Sequence, residues 1–335
     1  MSPVLRPRPT GGSRILGVGS RQPDRVVTSA ELCAGLGISD EWIRQRVGII
    51  ERRFADSDES LIDMAVQAGR NALADAGVSP ESVDTVIVPN CTMQAQIPNA
   101  AARVAHRIGI PDAGAFDLNA GCSGFCYGLA VASDLVRAAS ARYVLVIGAE
   151  KLTDFVEPLD RTTAVIFADG AGAALVGASG TTEIGPVVWG SAGEQAEKLR
   201  LNENRYVQQA GNTIFRWAIT RMPSAAVQAL DAVGLTLADM DVLLPHQANL
   251  RIIKATEEAL RMQGMRDDVI VADDIKYSGN TSAASIPIAF DHMRKESRVK
   301  SGDIVVAVAA GAGLTGSLAA SPGVHAGDEC ISRLL

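Results

Sequence analysis

The second half of this chain repeats the first. Gly77 and Gly234 lie 157 residues apart (234 − 77), as do Asp84 and Asp241 (241 − 84). The same offset pairs Ile62 with Ile219, Ala68 with Ala225, Ala72 with Ala229 and Leu73 with Leu230. Repetition at domain scale constrains the chain to a duplicated unit. The unit itself is readable in the first copy. Leu61, Ile62, Ala65, Ala68, Ala72, Leu73 and Ala76 form a helical stripe over residues 60–76, which Gly77 ends. A short apolar run at 84–89 follows and reads as a buried strand. Further strands are expected at 14–19, 114–118, 143–148 and 167–176, and further helices at 39–44, 99–108 and 123–139. Buried strands alternating with helices imply an α/β fold whose sheets are largely parallel, with helices on their faces.

One stretch stands out chemically: Asp117-Leu-Asn-Ala-Gly-Cys122-Ser-Gly-Phe125. Glycines at 121 and 124 permit a tight strand-to-helix turn. A thiol there meets the positive end of the following helix, which favours the thiolate. Taken alone, Cys122 reads more simply as a buried structural cysteine. Taken as a nucleophile, it carries an acyl group. Adding 157 to Cys122 lands on Gly279, beside Asn280, so the repeat predicts two helix starts facing one site.

Composition narrows the function. A formal charge of −7 without a Lys/Arg block argues against nucleic-acid binding. No apolar run approaches the length of a membrane span, and the first residues lack the apolar core of a signal peptide, so a cytoplasmic protein is expected. Five cysteines at irregular spacing suggest neither a disulfide framework nor a zinc site. Of four histidines, His246 alone follows a buried strand, where open α/β folds build sites. His106, His292 and His325 read as surface residues.

Together, Cys122, His246 in Pro245-His-Gln-Ala-Asn-Leu-Arg-Ile-Ile253, Asn280 in Gly279-Asn-Thr-Ser-Ala-Ala-Ser285, and Gly311-Ala-Gly-Leu-Thr315 resemble β-ketoacyl-acyl carrier protein synthase III. This is the initiating condensing enzyme of the thiolase superfamily. The resemblance implies a thiolase-like fold of duplicated halves in five αβαβα layers. It divides the chain into a flexible leader (1–13), an N-terminal half with the nucleophile (14–180), a C-terminal half with His and Asn (181–316) and an extension of loop-like composition (317–335). It implies that Cys122 takes an acyl group from acyl-CoA. His246 and Asn280 then hold the thioester carbonyl of a malonyl thioester during decarboxylation, and backbone N–H groups of Cys122 and Ala312 form an oxyanion hole. No cofactor or metal is called for. Trp42, Arg46 and Arg161 match the residues that grip CoA, with Asn249 near its pantetheine arm. A homodimer is implied, with Ile97 closing the partner's acyl pocket.

The sequence also departs from that family. Ile97 and Ala310 stand where relatives carry aromatic residues, which opens the acyl pocket to starters larger than acetyl. Arg216 and Arg251 fill basic slots for an acyl carrier protein, but Lys254-Ala-Thr-Glu257-Glu258 lacks paired lysines, so the patch is weakened. Three functions are therefore carried forward. The first is a decarboxylative condensing enzyme of fatty acid initiation or polyketide priming. The second is a non-condensing acyltransferase passing the acyl group to an amine or hydroxyl. The third, a non-catalytic partner subunit, is opposed by the intact Cys122, His246 and Asn280.

Overall fold

A computed structural model describes residues 11–311 and the backbone of 315–322. In chain order, β1 (Gly12–Arg21) leads to β2 (Val26–Thr28), α1 (Ser29–Leu36), α2 (Asp40–Val47) and β3 (Glu51–Arg53). Then come α3 (Leu61–Ala76), β4 (Thr85–Pro89), α4 (Ala100–Ile108), β5 (Gly114–Leu118), α5 (Gly124–Arg137), β6 (Tyr143–Lys151) and β7 (Asp169–Ser179). A small hairpin of β8 (Leu199–Leu201) and β9 (Val207–Gln209) precedes α6 (Gly211–Asp231), β10 (Val242–Pro245) and α7 (Leu250–Arg261). The last described elements are β11 (Ile270–Val271), α8 (Ile275–Ser278), α9 (Ser285–Lys295), β12 (Ile304–Gly311) and β13 (Thr315–Pro322).

Two sheets organise the molecule. One runs β1-β7-β6-β4-β5 and the other β11-β10-β12-β13. Strands β6, β4 and β5 are parallel, as are β11, β10 and β12; β1, β7 and β13 run against their neighbours where they pair with β7, β6 and β12. Side chains alternate across each strand. Ile87, Val144 and Val146 of the first sheet, and Val242, Leu244 and Val305 of the second, face a shared core with Phe125 and Leu129 of α5 and Ile286 and Phe290 of α9. Val86, Val88, Leu145 and Ile147 face the other way, onto α3 and α4. Leu243, Val306 and Val308 face α6 and α7. The result is α3/α4, sheet, α5/α9, sheet, α6/α7: five αβαβα layers.

The helices start and stop as their sequences dictate. Ser60 caps α3 in a reciprocal pair with Asp63, and Gly77 ends it at φ 63°. Ser39 caps α2 by accepting from Trp42 N–H, and Asn99 caps α4. The repeated aspartates make matching bonds. Asp84 donates its N–H to Tyr143 O and accepts from Gly114 N–H and Tyr143 N–H. Asp241 donates to Ile304 O and accepts from Ile270 N–H and Ile304 N–H. Each ties the start of one parallel strand to both neighbours.

Three expectations need correction. β1 begins at Gly12, inside the expected leader. Residues 315–322 form β13, paired along its length with β12, so the expected extension starts within a strand. Small residues such as Ala319, Ala320 and Ser321 have weak strand propensity, and it is the pairing with β12 that makes this segment a strand. The third correction concerns the repeat at the site. A 3-10 turn at Gly121–Ser123 precedes α5, and its counterpart is the 3-10 turn Ser282–Ala284 before α9. Gly121 (φ 53°) matches Ser282 (φ 49°), an offset of 161 (282 − 121), and the helix starts Gly124 and Ser285 keep it (285 − 124). Cys122 therefore corresponds to Ala283. The second half holds four more residues before its helix (161 − 157), so a constant offset misses the match.

Candidate active site

A cavity of about 370 Å³ opens between the two halves of the molecule. Cys122, His246, Asn280 and Ala310 line it, together with Trp42, Arg46, Arg161, Asn249 and Arg251. Nine of the residues singled out in the sequence thus converge. Three do not. Ile97 is 90% exposed on the loop before α4 and does not line this cavity. Arg216 lies on α6 away from the cavity lining. Ala312 lies outside the described residues.

Cys122 sits between the end of β5 and the start of α5. β12 passes directly over it: a Cβ added to Gly311 would lie 2.8 Å from the backbone nitrogens of both Cys122 and Ser123 and 2.7 Å from Ala120 O. Only glycine lets the strand approach the Cys122 N–H so closely. Burial opposes the helix-dipole pull toward the thiolate. Burial pushes the thiol up to about 11, against weaker opposing pulls from the Ser282 hydroxyl and the Cys122 N–H.

His246 follows β10 and is buried. Its N–H donates to Val308 O at 2.7 Å, which fixes the backbone. Its ring Nδ1 lies 2.6 Å from Ser285 Oγ. That hydroxyl oxygen already accepts the Gln247 N–H at 3.2 Å, so its own proton is available to Nδ1. Donation from the Ser285 hydroxyl to Nδ1 is the pairing that puts the proton of the neutral ring on Nε2, facing the cavity. Desolvation holds the imidazole down at about 3, so the ring is neutral at ordinary pH.

Asn280 is locked between the halves. Its N–H donates to Ile166 O and its carbonyl accepts from Ala168 N–H. Its side-chain Oδ1 accepts from Ser282 N–H at 2.9 Å, which identifies Nδ2 as the outward-facing donor. Nδ2 reaches Ala248 O at 3.5 Å, a contact long enough to exchange for a substrate oxygen. His246 and Asn280 thus supply two neutral N–H donors on one wall, with Cys122 lining the same cavity.

The cavity mouth is cationic. The Arg46 guanidinium lies over the Trp42 ring at 5.6 Å, and Arg251 over Phe215 at 5.3 Å. Trp42 remains 37% exposed, so its ring is open to a planar ligand. Asn249 caps α7 by accepting from Arg251 N–H and reaches back to Arg46 O, joining α2 to α7 across the mouth.

Sequence reading missed Ser285 and Ser282. Ser285 opens α9, and its role shows only when β10 is laid beside that helix.

A thiol that lines one cavity with two neutral N–H donors, on a duplicated five-layer fold, fits an acyl-transferring enzyme of the thiolase type. Comparison with known proteins agrees. Residues 116–193 match the 3-oxoacyl-[acyl-carrier-protein (ACP)] synthase III family, and residues 230–321 its C-terminal region. The β-ketoacyl-[acyl-carrier-protein] synthase III of Streptomyces glaucescens is 43% identical over 314 residues, covering 90% of this chain and 93% of that one. The β-ketoacyl-[acyl-carrier-protein] synthase III 4 of Streptomyces coelicolor is 46% identical over 297 residues, covering 87% and 92%. Among solved structures, the priming β-ketosynthase of the R1128 polyketide biosynthetic pathway superposes with a TM-score of 0.91 at 38% identity, over 96% of this chain and 100% of that one. The 3-oxoacyl-[acyl-carrier-protein] synthase III of Aquifex aeolicus gives 0.89 at 37% identity, over 93% and 100%. The chain belongs to the β-ketoacyl-[acyl-carrier-protein] synthase III family, and as such is an acyl-transferring condensing enzyme.

Proposed function

We propose that this enzyme loads an acyl group from acyl-CoA onto Cys122 and condenses it with a malonyl thioester, as the first step of fatty acid synthesis or of polyketide priming. Trp42, Arg46 and Arg161 receive the CoA head group, and Asn249 flanks the pantetheine arm. Cys122 attacks the thioester carbonyl, and the oxyanion forms against the Cys122 N–H with help from the turn that includes Ala312. CoA then leaves, and the malonyl thioester takes its place. His246 Nε2–H and Asn280 Nδ2–H donate to its thioester oxygen. As carbon dioxide departs, the electron pair moves into an enolate held by those two donors. The enolate carbon attacks acyl-Cys122, and the thiolate leaves.

The single observation carrying this reading is the Ser285–His246 contact. It supports a neutral imidazole with its proton on Nε2, which acts as a donor to an enolate rather than as a base. Ala310 in the cavity lining supports room for a starter beyond acetyl. Carrier-protein docking through Arg251 and Arg216 is weakened by Glu257 and Glu258 on α7. A homodimer is favoured by β5, which pairs only with β4 among the described residues, and by Ile97 on the neighbouring loop. The loop packs on β5 through Asn99 Nδ2 to Ala115 O, so partner contact at β5 would carry Ile97 with it. We place the enzyme in the cytoplasm; no helix among the described residues is long and apolar enough to cross a membrane.

The test is direct. The protein is incubated with acetyl-, isobutyryl- and octanoyl-CoA, and the adduct on Cys122 is read by intact mass. Malonyl-carrier protein is then added. Carbon dioxide release with a β-ketoacyl product is expected. Loading without condensation sinks the condensing reading in favour of transfer to an amine or hydroxyl.

A further inference from the structure

On the proposed function His246 and Asn280 meet one thioester oxygen, yet they come from different elements. The residue after His246 ties them together. Gln247 is fully buried. Its side-chain amide bridges three segments. Nε2 donates to Pro245 O at 2.6 Å and to Ala272 O at 3.4 Å, and Oε1 accepts the Ile275 N–H at 2.9 Å. Its backbone N–H donates to Ser285 Oγ at 3.2 Å, the same hydroxyl that lies 2.6 Å from His246 Nδ1. Both protons and the oxygen of the amide are thus engaged. A buried amide with its bonds made specifies one arrangement of the segments it joins.

Those partners fall in a pattern. Asn280 lies in the stretch 275–285, which runs from the start of α8 through the 3-10 turn Ser282–Ala284 to the start of α9. Gln247 holds one end of that stretch, Ile275, by its side chain and the other, Ser285, by its backbone. Asn280 is five residues from each grip (280 − 275 and 285 − 280). Ile275 O accepts the Gly279 N–H at 3.1 Å, which carries the first grip to the residue before Asn280. On the other side, the bond to Pro245 O curls the chain just after β10, and the Ala248 N–H tightens the same turn by donating to His246 O at 2.8 Å. The bonds to Ile166 and Ala168 fix Asn280 against the first half of the molecule; Gln247 supplies its tie to His246.

We propose that Gln247 is a positioning residue for the condensation step: by gripping both ends of the stretch that carries Asn280, it fixes the distance between Asn280 Nδ2 and His246 Nε2 so that both reach one thioester oxygen. This rests on the reading that those two groups hold the malonyl thioester. Gln247 does not line the cavity and acts only through its neighbours. The effect is confined to one half-reaction. Acyl loading depends on Cys122 and on the turn between β5 and α5, to which Gln247 makes no hydrogen bond among the described residues. Decarboxylation depends on two donors converging, and it is their convergence that the Gln247 amide sets.

The experiment compares wild type, Gln247→Met, Asn280→Ala and the double variant. Methionine keeps the length of the side chain and makes none of the amide's bonds. Adduct formation on Cys122 is read by intact mass with whichever of the three acyl-CoAs named above loads, and carbon dioxide release from malonyl-carrier protein is read separately. Gln247→Met is expected to load within about threefold of wild type and to decarboxylate about tenfold to a hundredfold more slowly, the scale of a positional error near reacting atoms. Asn280→Ala should then cost less in the Gln247→Met background than in wild type, by about tenfold or more, because the amide it removes is already out of place. A merely structural role predicts equal losses in both steps, or losses that multiply independently across the two variants. Either result overturns the proposal, as does a Gln247→Met enzyme that decarboxylates like wild type. If Gln247→Met does not fold, Gln247→Asn is read in the same way, since its amide is one methylene too short to bridge Pro245 and Ile275. If Asn280→Ala alone leaves carbon dioxide release unchanged, or wild type releases none, the two-donor reading itself fails, and the proposal with it.

Discussion

Asn280 sits where a helix cap could have been its whole purpose, yet its side chain divides its labour. Oδ1 holds the turn through Ser282 N–H, and Nδ2 faces the cavity. Asn280→Ala should therefore leave acyl loading nearly intact while slowing malonyl decarboxylation by about two to three decades, the worth of one oxyanion donor. Separate assays of adduct formation and carbon dioxide release check this. On the proposed function Trp42 serves binding alone. Trp42→Ala should raise the KM for acyl-CoA about tenfold or more, the scale of a lost base-stacking platform. Loading from a short thioester lacking the nucleotide should not change, and steady-state loading with both donors tests it. Cys122, His246 and Asn280 were readable because each sits in its own ordered motif at an element boundary. Ser285 was not, because its contact with His246 joins residues 39 positions apart and depends on how β10 and α9 meet.

At the scale of elements, helical stripes, glycine stops and apolar strand runs were legible because each follows from local periodicity. β13 was not, since small residues become a strand only through a partner. The register of the repeat was legible in α3 and α6 but drifted by four residues at the site (161 − 157). What brings the elements together there is close backbone contact, above all where β12 crosses the Cys122 turn. Gly311→Ala forces a methyl against three backbone atoms, none of which can rotate aside. A shift of the strand or the turn by a few tenths of an ångström follows. Loading should fall about a hundredfold, as positional errors near reacting atoms do, with the melting temperature lowered only modestly. Intact-mass loading and thermal unfolding of the same variant separate the two effects.

For the whole molecule, pH links two buried groups on different sheets. His246 has a folded value near 3 against an ordinary 6.5, so it binds a proton only when unfolded. Its contribution is complete above pH 6.5 and is lost as pH falls toward 3. Asp169 is raised to about 6 from 3.8, so the folded state binds its proton first and gains stability as pH falls through that window. Between about pH 6 and 4 the two offset. Asp169→Asn removes the offset, and stability should then fall more steeply with acid by about 1.4 kcal/mol per pH unit in that range. Urea titrations at a series of pH values give the slope. Assembly is the other molecular-scale expectation. Ile97→Asp places a charge on a side chain that is 90% exposed in the single chain. If two copies meet at β5, the dimer should dissociate at least tenfold more readily, as read by sedimentation, whereas an unchanged profile would exclude that interface.

The half-buried thiol of Cys122 has a consequence for inhibition. Small alkylating reagents act on thiolates, and desolvation of this half-buried sulfur favours the thiol. A covalent drug against this enzyme gains most by first filling the cavity and engaging the His246 and Asn280 donors, which hold it beside the sulfur. Selectivity over the ordinary thiols of a cell then comes from the depth of the site, and potency should track shape complementarity more closely than intrinsic electrophilicity.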